Sequence, residues 1–312
     1  MKKLNVTWEG VYDDTGYLMS FAKSLAAAVK SSPWAEYAED IVATSGFAFR
    51  MWVNDELCPS STSVWTVDMQ KPWVENGGFT CEYTGRYWGQ EAIEEEKRLE
   101  AIGNIKRSID RGVPAISWDI GIPAWGLIIG YDDETQKFFT LGTTDGEGEM
   151  PYDKLGKREI PFLSVLTITG TSGKAGPEIL RDTMKLAAAH LKGEEWSDVN
   201  PNGLNAYPAL MKHFEPEFFK DEEAWNRENI LGSYGPLKYY AWKYFEKNGQ
   251  TQLAQLYKAI HAAWMEAFQM NKSGVSLDAD CPNAAESILA RLKSAMENET
   301  RALKIMADTI NV

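Results

Sequence analysis

The sequence predicts a chain that begins as an α+β region and ends as an all-helical one. Short β-rich runs separated by turn residues cluster between residues 114 and 169. Apolar residues recur at helical spacing before them, and after the Gly/Ser-rich stretch 170–176 every periodic segment is helical. The predicted fold class is therefore α+β, with a helix packed on an antiparallel sheet, followed by an all-α domain. The two domains are expected to cover 1–172 and 173–312.

Composition narrows the functional class. The chain has 312 residues, of which 44% are hydrophobic, so it can build a sizeable core. Its 32 basic and 45 acidic residues give a net charge of −13, which disfavours nucleic acids and anionic membranes as partners. Three cysteines without a Cys-x-x-Cys pair favour a reducing, cytoplasmic location and give no metal site. No apolar leader segment follows Lys2 and Lys3, so a signal peptide is not expected. No cofactor is expected either.

The first third of the chain combines helices with an aromatic irregular region. Leu18, Phe21, Leu25 and Val29 predict an amphipathic helix over 15–30, which Asp13, Asp14 and Thr15 would cap. The remaining segments are a short helix at 34–43, a run at 47–53 that is either strand or buried helix, an irregular aromatic stretch at 54–90, and a charged helix at 91–111 that ends at Gly112.

The strands and the later helices follow from their turn signals. Strands are predicted at 114–119, 126–131, 137–141 and 162–169, with turns at Asp132–Glu134 and Asp145–Gly146. Helices are predicted at 177–192, 204–214, 221–229, 235–247, 250–270 and 283–309. The stretch 170–176, GTSGKAG, lacks the hydroxyl residue that a phosphate-binding loop needs after its lysine, and is interpreted as a linker.

Several motifs together resemble one protein family. The run at 112–119 is GVPAISWD, the run at 126–133 is GLIIGYDD, and the run at 150–155 is MPYDKL. They resemble the N-terminal domain of the butirosin biosynthesis protein H family. Residues 10–29 and 43–49 are similar to that family's first helix and following segment. Residues 203–207, GLNAY, and the helices after them are similar to its C-terminal helical domain, so the resemblance covers most of the chain.

The resemblance implies a papain-like cysteine peptidase fold and a cysteine–histidine enzyme. A thiolate would lie at the N-terminus of the first helix, where free backbone N–H groups stabilise it. A histidine on the facing strand would act as its base, oriented by an aspartate or asparagine. Such proteins are associated with acyl transfer from a carrier protein or with peptidase-like amide chemistry.

This sequence departs from that pattern at both catalytic positions. Residues 13–20 contain no cysteine, and 123–126, where the histidine is expected, read Pro-Ala-Trp-Gly. Asp145 matches the third position. Thr15 or Ser20 could replace the thiol, but a hydroxyl depends on a base far more than a thiol does. We therefore expect a protein that lacks the dyad and is not an enzyme of this type.

The former active-site cleft is then a candidate binding site. Aromatic side chains would form its walls, with carboxylates beside them: Tyr17, Trp52, Tyr83, Trp118, Trp125, Glu9, Asp13, Asp14, Asp119 and Asp145. Such walls suit a small aromatic, amide or cationic ligand, an acyl or peptidyl group, or a partner. An equally open interpretation is that the rings fill the cleft and leave no site. Asp13 and Asp14 are better explained as helix caps than as acid–base groups.

Two further hypotheses belong to other functional classes. In the first, the protein is an active acyltransferase or amide hydrolase with a relocated nucleophile, Cys58 or Cys81, and a histidine such as His261 from the helical region. In the second, the protein is a structural subunit whose helical domain forms a homodimer.

Overall fold

The computed structural model describes residues 1–62, 66–194 and 200–310. Contacts divide the chain into two units. The α+β unit contains Met1–Val11, Ser20–Ile41 and Val64–Ala175, and the helical unit contains Tyr12–Met19, Val42–Ser63 and Gly176–Val312. The chain is thus a mixed α/β protein with a C-terminal helical region. Two short N-terminal segments group with the helical unit, an arrangement that a single linear boundary does not describe.

One antiparallel sheet organises the α+β unit. Within the described residues its strands are β1 Lys2–Lys3, β2 Phe79–Arg86, β3 Ala115–Trp118, β4 Trp125–Asp132, β5 Lys137–Gly142, β6 Gly146–Pro151 and β7 Leu163–Thr171. The strand order is β2-β7-β3-β4-β5-β6, and β1 pairs with β4. The predicted strands β3, β4, β5 and β7 are confirmed.

Strands β2 and β6 were missed for different reasons. β2 lies in the region predicted to be irregular. Polar residues and Gly85 stand among its buried positions, so its sequence shows no clear alternation of apolar and polar residues. β6 reads GEGEMP, whose glycines and glutamates have low intrinsic strand preference. It forms because its backbone pairs along the whole length of β5.

Helices cover both faces of this sheet. Successive side chains of a strand point to opposite faces. On β4, Trp125 contacts Phe21 of helix α1 (Ser20–Lys30), whereas Ile128 belongs to an apolar cluster with Ile105 of helix α4 (Glu94–Asp110). The central strands are therefore buried on both sides, which explains their nearly continuous apolar sequences.

Helix α1 begins five residues later than predicted, and Asp13, Asp14 and Thr15 do not cap it. Gly16 has φ of +79°, a left-handed conformation that a helix cannot contain. The Asp13 carboxylate instead accepts hydrogen bonds from the backbone N–H groups of Gly16, at 3.1 Å, and Leu18, at 2.9 Å. Residues 13–18 therefore form a turn, and the interpretation of both aspartates as helix caps is wrong.

The other early segments contain less helix than expected. The helix predicted at 34–43 is wrong. The structure has a single 3₁₀ turn at Ala35–Tyr37 and a four-residue helix α2, Ile41–Thr44. The ambiguous run 47–53 is a 3₁₀ turn followed by extended backbone. Helix α3, Gln70–Asn76, lies inside the stretch predicted to be irregular.

Helices build most of the helical unit. Within its described residues they are α5 Gly176–Lys192, α6 Ala206–Lys212, α7 Ala224–Lys247, α8 Thr251–Ser273 and α9 Ala284–Ile310. The break predicted between residues 229 and 235 is wrong, because α7 runs through Gly232, Gly235 and Pro236 without interruption. None of the described helices is long and apolar enough to cross a membrane.

A hydrogen bond from outside the helix compensates for Pro236. Proline has no N–H, so the carbonyl four residues earlier, that of Gly232, loses its partner within the helix. The Thr15 hydroxyl, which is buried, donates to this carbonyl oxygen at 2.7 Å. Gly232 also leaves room for the Tyr17 ring, since a Cβ there would lie 2.8 Å from Tyr17 Cδ2. The turn at 13–18 thus supports a helix that its own sequence would interrupt.

Removing that hydroxyl is expected to destabilise the helical unit. Thr15→Val keeps the shape of the side chain but leaves the Gly232 carbonyl buried without a partner, which should cost about 1–3 kcal/mol of unfolding free energy. Thr15→Ser keeps the donor and should lose much less. Urea unfolding followed by circular dichroism measures both variants. No loss in Thr15→Val, or a loss in Thr15→Ser that exceeds it, would show that the methyl contact matters and the hydrogen bond does not.

Candidate functional site

The N-terminus of α1 meets the first residue of β4. Ser20 begins α1, Trp125 begins β4, and the backbone N–H of Trp125 donates to Ser20 Oγ at 3.2 Å. These are the two elements on which the resemblance places a thiol and its histidine base. All three histidines of the chain, at positions 190, 213 and 261, belong to the helical unit. The sequence of the α+β unit therefore offers Ser20 no imidazole.

Aromatic rings occupy the interior behind Ser20. Trp125 packs edge-on against Phe21 and against Trp118, with centroid distances of 5.0 and 5.4 Å. Trp118 in turn stacks on Phe162 at 5.0 Å. Trp118 is 4% exposed and Trp125 1%. These two predicted wall residues are packed against other rings, which agrees with the interpretation that they fill the cleft.

Asp119 lies directly after this ring pair in an unusual backbone conformation. Its φ is +60°, and it is 3% exposed. Arg158 holds the segment, because its guanidinium donates to the carbonyl oxygens of Asp119 at 2.7 Å and Gly121 at 2.8 Å. Burial raises the pKa of the Asp119 carboxyl above its usual value, although the positive charge of Arg158 opposes this shift. The strained residue and its clamp fix the end of the β3–β4 hairpin.

Four residues lie at this hairpin end, and we call them the hairpin surface. It consists of Trp8, Gly121, Gly142 and Asp145. The Trp8 indole N–H donates to the Gly142 carbonyl at 3.0 Å, and a Cβ on Gly121 would lie 2.5 Å from Asp145 Oδ2. The Asp145 carboxylate is exposed, and the Trp8 ring is half-buried with Lys23 Nζ 5.5 Å from its centroid. The Trp8 ring and the Asp145 carboxylate thus each lie beside a glycine at this hairpin end.

The remaining candidates in the α+β unit have separate contacts. Tyr83 lies on β2, where the Ser164 hydroxyl donates to its phenol oxygen at 3.1 Å. Burial raises the pKa of the Tyr83 phenol. Glu9 is exposed, and its backbone carbonyl accepts a hydrogen bond from the Lys30 ammonium.

Four of the predicted cleft residues belong to the helical unit. The Tyr17 hydroxyl donates to Glu228 at 3.1 Å, and the backbone N–H and C=O of Trp52 both bond to the Tyr234 hydroxyl. Asp13 accepts the backbone hydrogen bonds of the turn described above. Asp14 lies beside Tyr12, where burial and then the Asp14 charge raise the pKa of the phenol. Asp14 also lies near His261, where its charge opposes the lowering of the imidazole pKa by burial. These contacts give each of the four a structural role within the helical unit.

The cysteines lack the partner that a relocated nucleophile needs. Cys58 Sγ contacts the Ser60 hydroxyl at 3.0 Å, and Cys281 Sγ contacts a Glu286 oxygen at 3.5 Å. Cys81 is buried, and burial raises the pKa of its thiol, which disfavours the thiolate. In the described part of the chain, none of these three sulfurs is hydrogen-bonded to a histidine.

His261 has a different partner from the one that the relocated-nucleophile hypothesis gives it. Its Nε2 lies 2.9 Å from the Tyr12 hydroxyl. Burial lowers the pKa of the imidazole to about 4, and the nearby Asp14 charge only partly opposes this shift. His261 is therefore neutral at pH 7 and is engaged with a phenol.

Sequence reasoning missed the partners that shape this site. Trp8 and Arg158 carry no motif, and each acts through backbone carbonyls on segments more than 35 residues away. The left-handed glycine at position 121 was the one available signal, because the run 119–123 is DIGIP.

Comparisons with protein-family models and with curated proteins found no match to this chain. Among the described residues, no group of three or more His, Cys, Asp or Glu side chains is arranged to hold a metal ion.

Proposed function

We propose that the protein is a non-catalytic member of the butirosin biosynthesis protein H-like group, with a papain-like α+β unit. The observation that carries this proposal is the Ser20–Trp125 contact at the junction of α1 and β4. A hydroxyl replaces the thiol, a tryptophan stands where the facing strand would carry its base, and no histidine belongs to this unit. Serine without a base is a poor nucleophile.

Binding is the function that these residues support. With Trp118 and Trp125 packed inside, the accessible chemistry at this end of the unit is the hairpin surface. Its exposed Asp145 carboxylate suits a positively charged group. The Trp8 ring, which already has the Lys23 ammonium 5.5 Å from its centroid, suits an aromatic group. We propose that the protein binds a small amine-bearing or amide-bearing ligand there and does not turn it over.

Matched indole probes test the binding. Tryptamine is expected to bind the wild-type protein, and indole-3-acetate is not, because it carries a negative charge on a similar ring. Asp145→Asn should weaken tryptamine binding at least tenfold, about 1.4 kcal/mol, as measured by isothermal titration calorimetry. The control Glu134→Gln removes an exposed acid from the β4–β5 turn and should leave the affinity unchanged. Equal affinities for both probes, or an unaltered affinity in Asp145→Asn, would contradict the proposal.

A further inference from the structure

A second candidate site lies in the helical unit, in a cavity of about 540 Å³. Volumes of this size are typical of small-molecule sites. Its floor is made of buried apolar side chains, namely Phe214 on the segment after α6, Met270 on α8 and Ile288 on α9. Phe219, 42% exposed, and Pro282 form part of its rim. The cavity therefore has a buried apolar floor and exposed residues at its rim.

Exposed apolar side chains concentrate on the two segments that border this cavity. Phe218 and Phe219 lie on one, and Val275 and Leu277 follow Gly274, a lining residue of the other, with exposures of 37, 42, 64 and 54%. Such side chains are costly to leave in water, and their concentration marks a binding surface. The occupant is therefore expected to have an apolar body.

The same two segments are strongly acidic. Residues 215–223 and 271–286 carry eight Asp or Glu against two lysines. Some of these acids are paired within the protein, for example Glu223 with His213 at 2.9 Å and Asp278 with Arg291 at 2.5 Å. Glu217 and Asp280 are exposed. No acid is among the described residues that line the cavity itself, but the segments that form its rim carry an excess of negative charge, and a cation is the electrostatic complement of that charge.

One buried cation lies close to this region but not in the cavity. The Arg227 guanidinium is stacked on the Phe219 ring, with Cζ 4.1 Å from the centroid, and donates to the Lys220 carbonyl. It is 1% exposed and does not line the cavity. The exposed charges beside the cavity are therefore those of the acids and of Lys220 and Lys272, and the acids of the two segments outnumber the lysines.

We infer that this cavity binds a small amphiphilic organic cation, whose apolar body lies against Phe214, Met270 and Ile288 and whose ammonium group remains at the acidic rim. The size of the cavity selects a small molecule. The exposed apolar residues favour a ligand with an apolar body, and the negative charge of the rim favours a ligand with a positive charge.

Three probes of equal chain length test this inference on the full-length protein. Octyltrimethylammonium, 1-octanol and octanoate are compared by isothermal titration calorimetry in 20 mM salt. Octyltrimethylammonium is expected to bind at least tenfold more tightly than octanoate and more tightly than 1-octanol, and raising the salt concentration should reduce its advantage. No binding of any probe, or equal affinity for the cation and the neutral alcohol, would overturn the inference.

Variants of lining and rim residues test whether octyltrimethylammonium binds in this cavity. Ala285→Trp places a large ring on a lining residue and should weaken octyltrimethylammonium binding at least tenfold. Ala279→Trp adds the same ring to an exposed residue outside the lining and should leave binding unchanged. Glu217→Gln with Asp280→Asn should remove most of the preference for the cation. If Ala285→Trp fails to fold, Ala284→Phe replaces it.

Two outcomes of these variants would overturn the inference. One is unaltered binding in every cavity-filling variant. The other is a self-associating wild-type protein whose dimer Ala285→Trp dissolves, since a second copy would then be the occupant. Neither outcome affects the hairpin surface, which Asp145→Asn tests separately.

Discussion

Lys238→Met is expected to lower the free energy of unfolding by about 3–5 kcal/mol, the cost of leaving one charge of a buried ion pair without its partner. Lys238 and Glu299 join α7 to α9, with Nζ 2.8 Å from Oε1, and both side chains are 0% exposed. The Lys238 ammonium also donates to the Ala48 carbonyl at 3.4 Å. Burial and then the Glu299 charge raise the pKa of the Tyr257 phenol.

The double variant Lys238→Met/Glu299→Leu is the control. It removes both charges and should recover most of the stability that the single variant loses, because an apolar pair of similar volume needs no compensating charge. Urea unfolding followed by helical circular dichroism measures both. A loss below about 1 kcal/mol in Lys238→Met, the range of exposed pairs, would contradict the buried pairing.

Gly46→Ala is expected to destabilise the helical unit by about 2–5 kcal/mol, which combines left-handed backbone strain with overpacking. Gly46 has φ of +80°, and a Cβ there would lie 2.5 Å from Nε2 of His190, a residue that is 1% exposed. The same methyl would lie 2.8 Å from Leu186 Cδ2. Both contacts are too short for the side chains to remain in place.

Gly16→Ala provides a matched comparison for Gly46→Ala. Its φ is +79°, nearly the same, but a Cβ at this position meets nothing within 4 Å. It should therefore cost only the backbone strain, about 1–2 kcal/mol. Thermal and urea unfolding of the two variants separate the strain from the packing. Similar losses would show that the His190 contact relaxes at little cost.

The sequence predicts elements well where local signals and tertiary packing agree. Helix α4 and strands β3 and β4 lie where predicted, because glycine and turn residues bound apolar runs of matching period. Helix α7 differs from the prediction, which placed a break between the helices 221–229 and 235–247, at the position of Gly232. Burial on all sides and the Thr15 hydrogen bond override this local signal. Such a partner, more than 200 residues distant, leaves no local trace.

The candidate site, too, could be predicted from the sequence only in part. The absence of a cysteine in 13–20 and of a histidine in 123–126 is visible in the sequence. Whether Trp118 and Trp125 line an open cleft or fill it depends on Phe21 and Phe162, which contact them only in the folded chain. The grouping of Tyr17 and Trp52 with the helical unit likewise depends on contacts with Glu228 and Tyr234. Composition alone does not encode these pairings.

The measurement that tests the central claim most directly is turnover of an acyl thioester. An acyl-N-acetylcysteamine is incubated with the wild-type protein, Ser20→Ala and a protein-free blank, and hydrolysis and acyl transfer to an added amine are followed by mass spectrometry. Ser20 accepts a hydrogen bond from the Trp125 backbone, and its unit contains no histidine. We therefore expect all three samples to give the same rate. Turnover by the wild-type protein that exceeds the blank and disappears in Ser20→Ala would contradict a non-catalytic site.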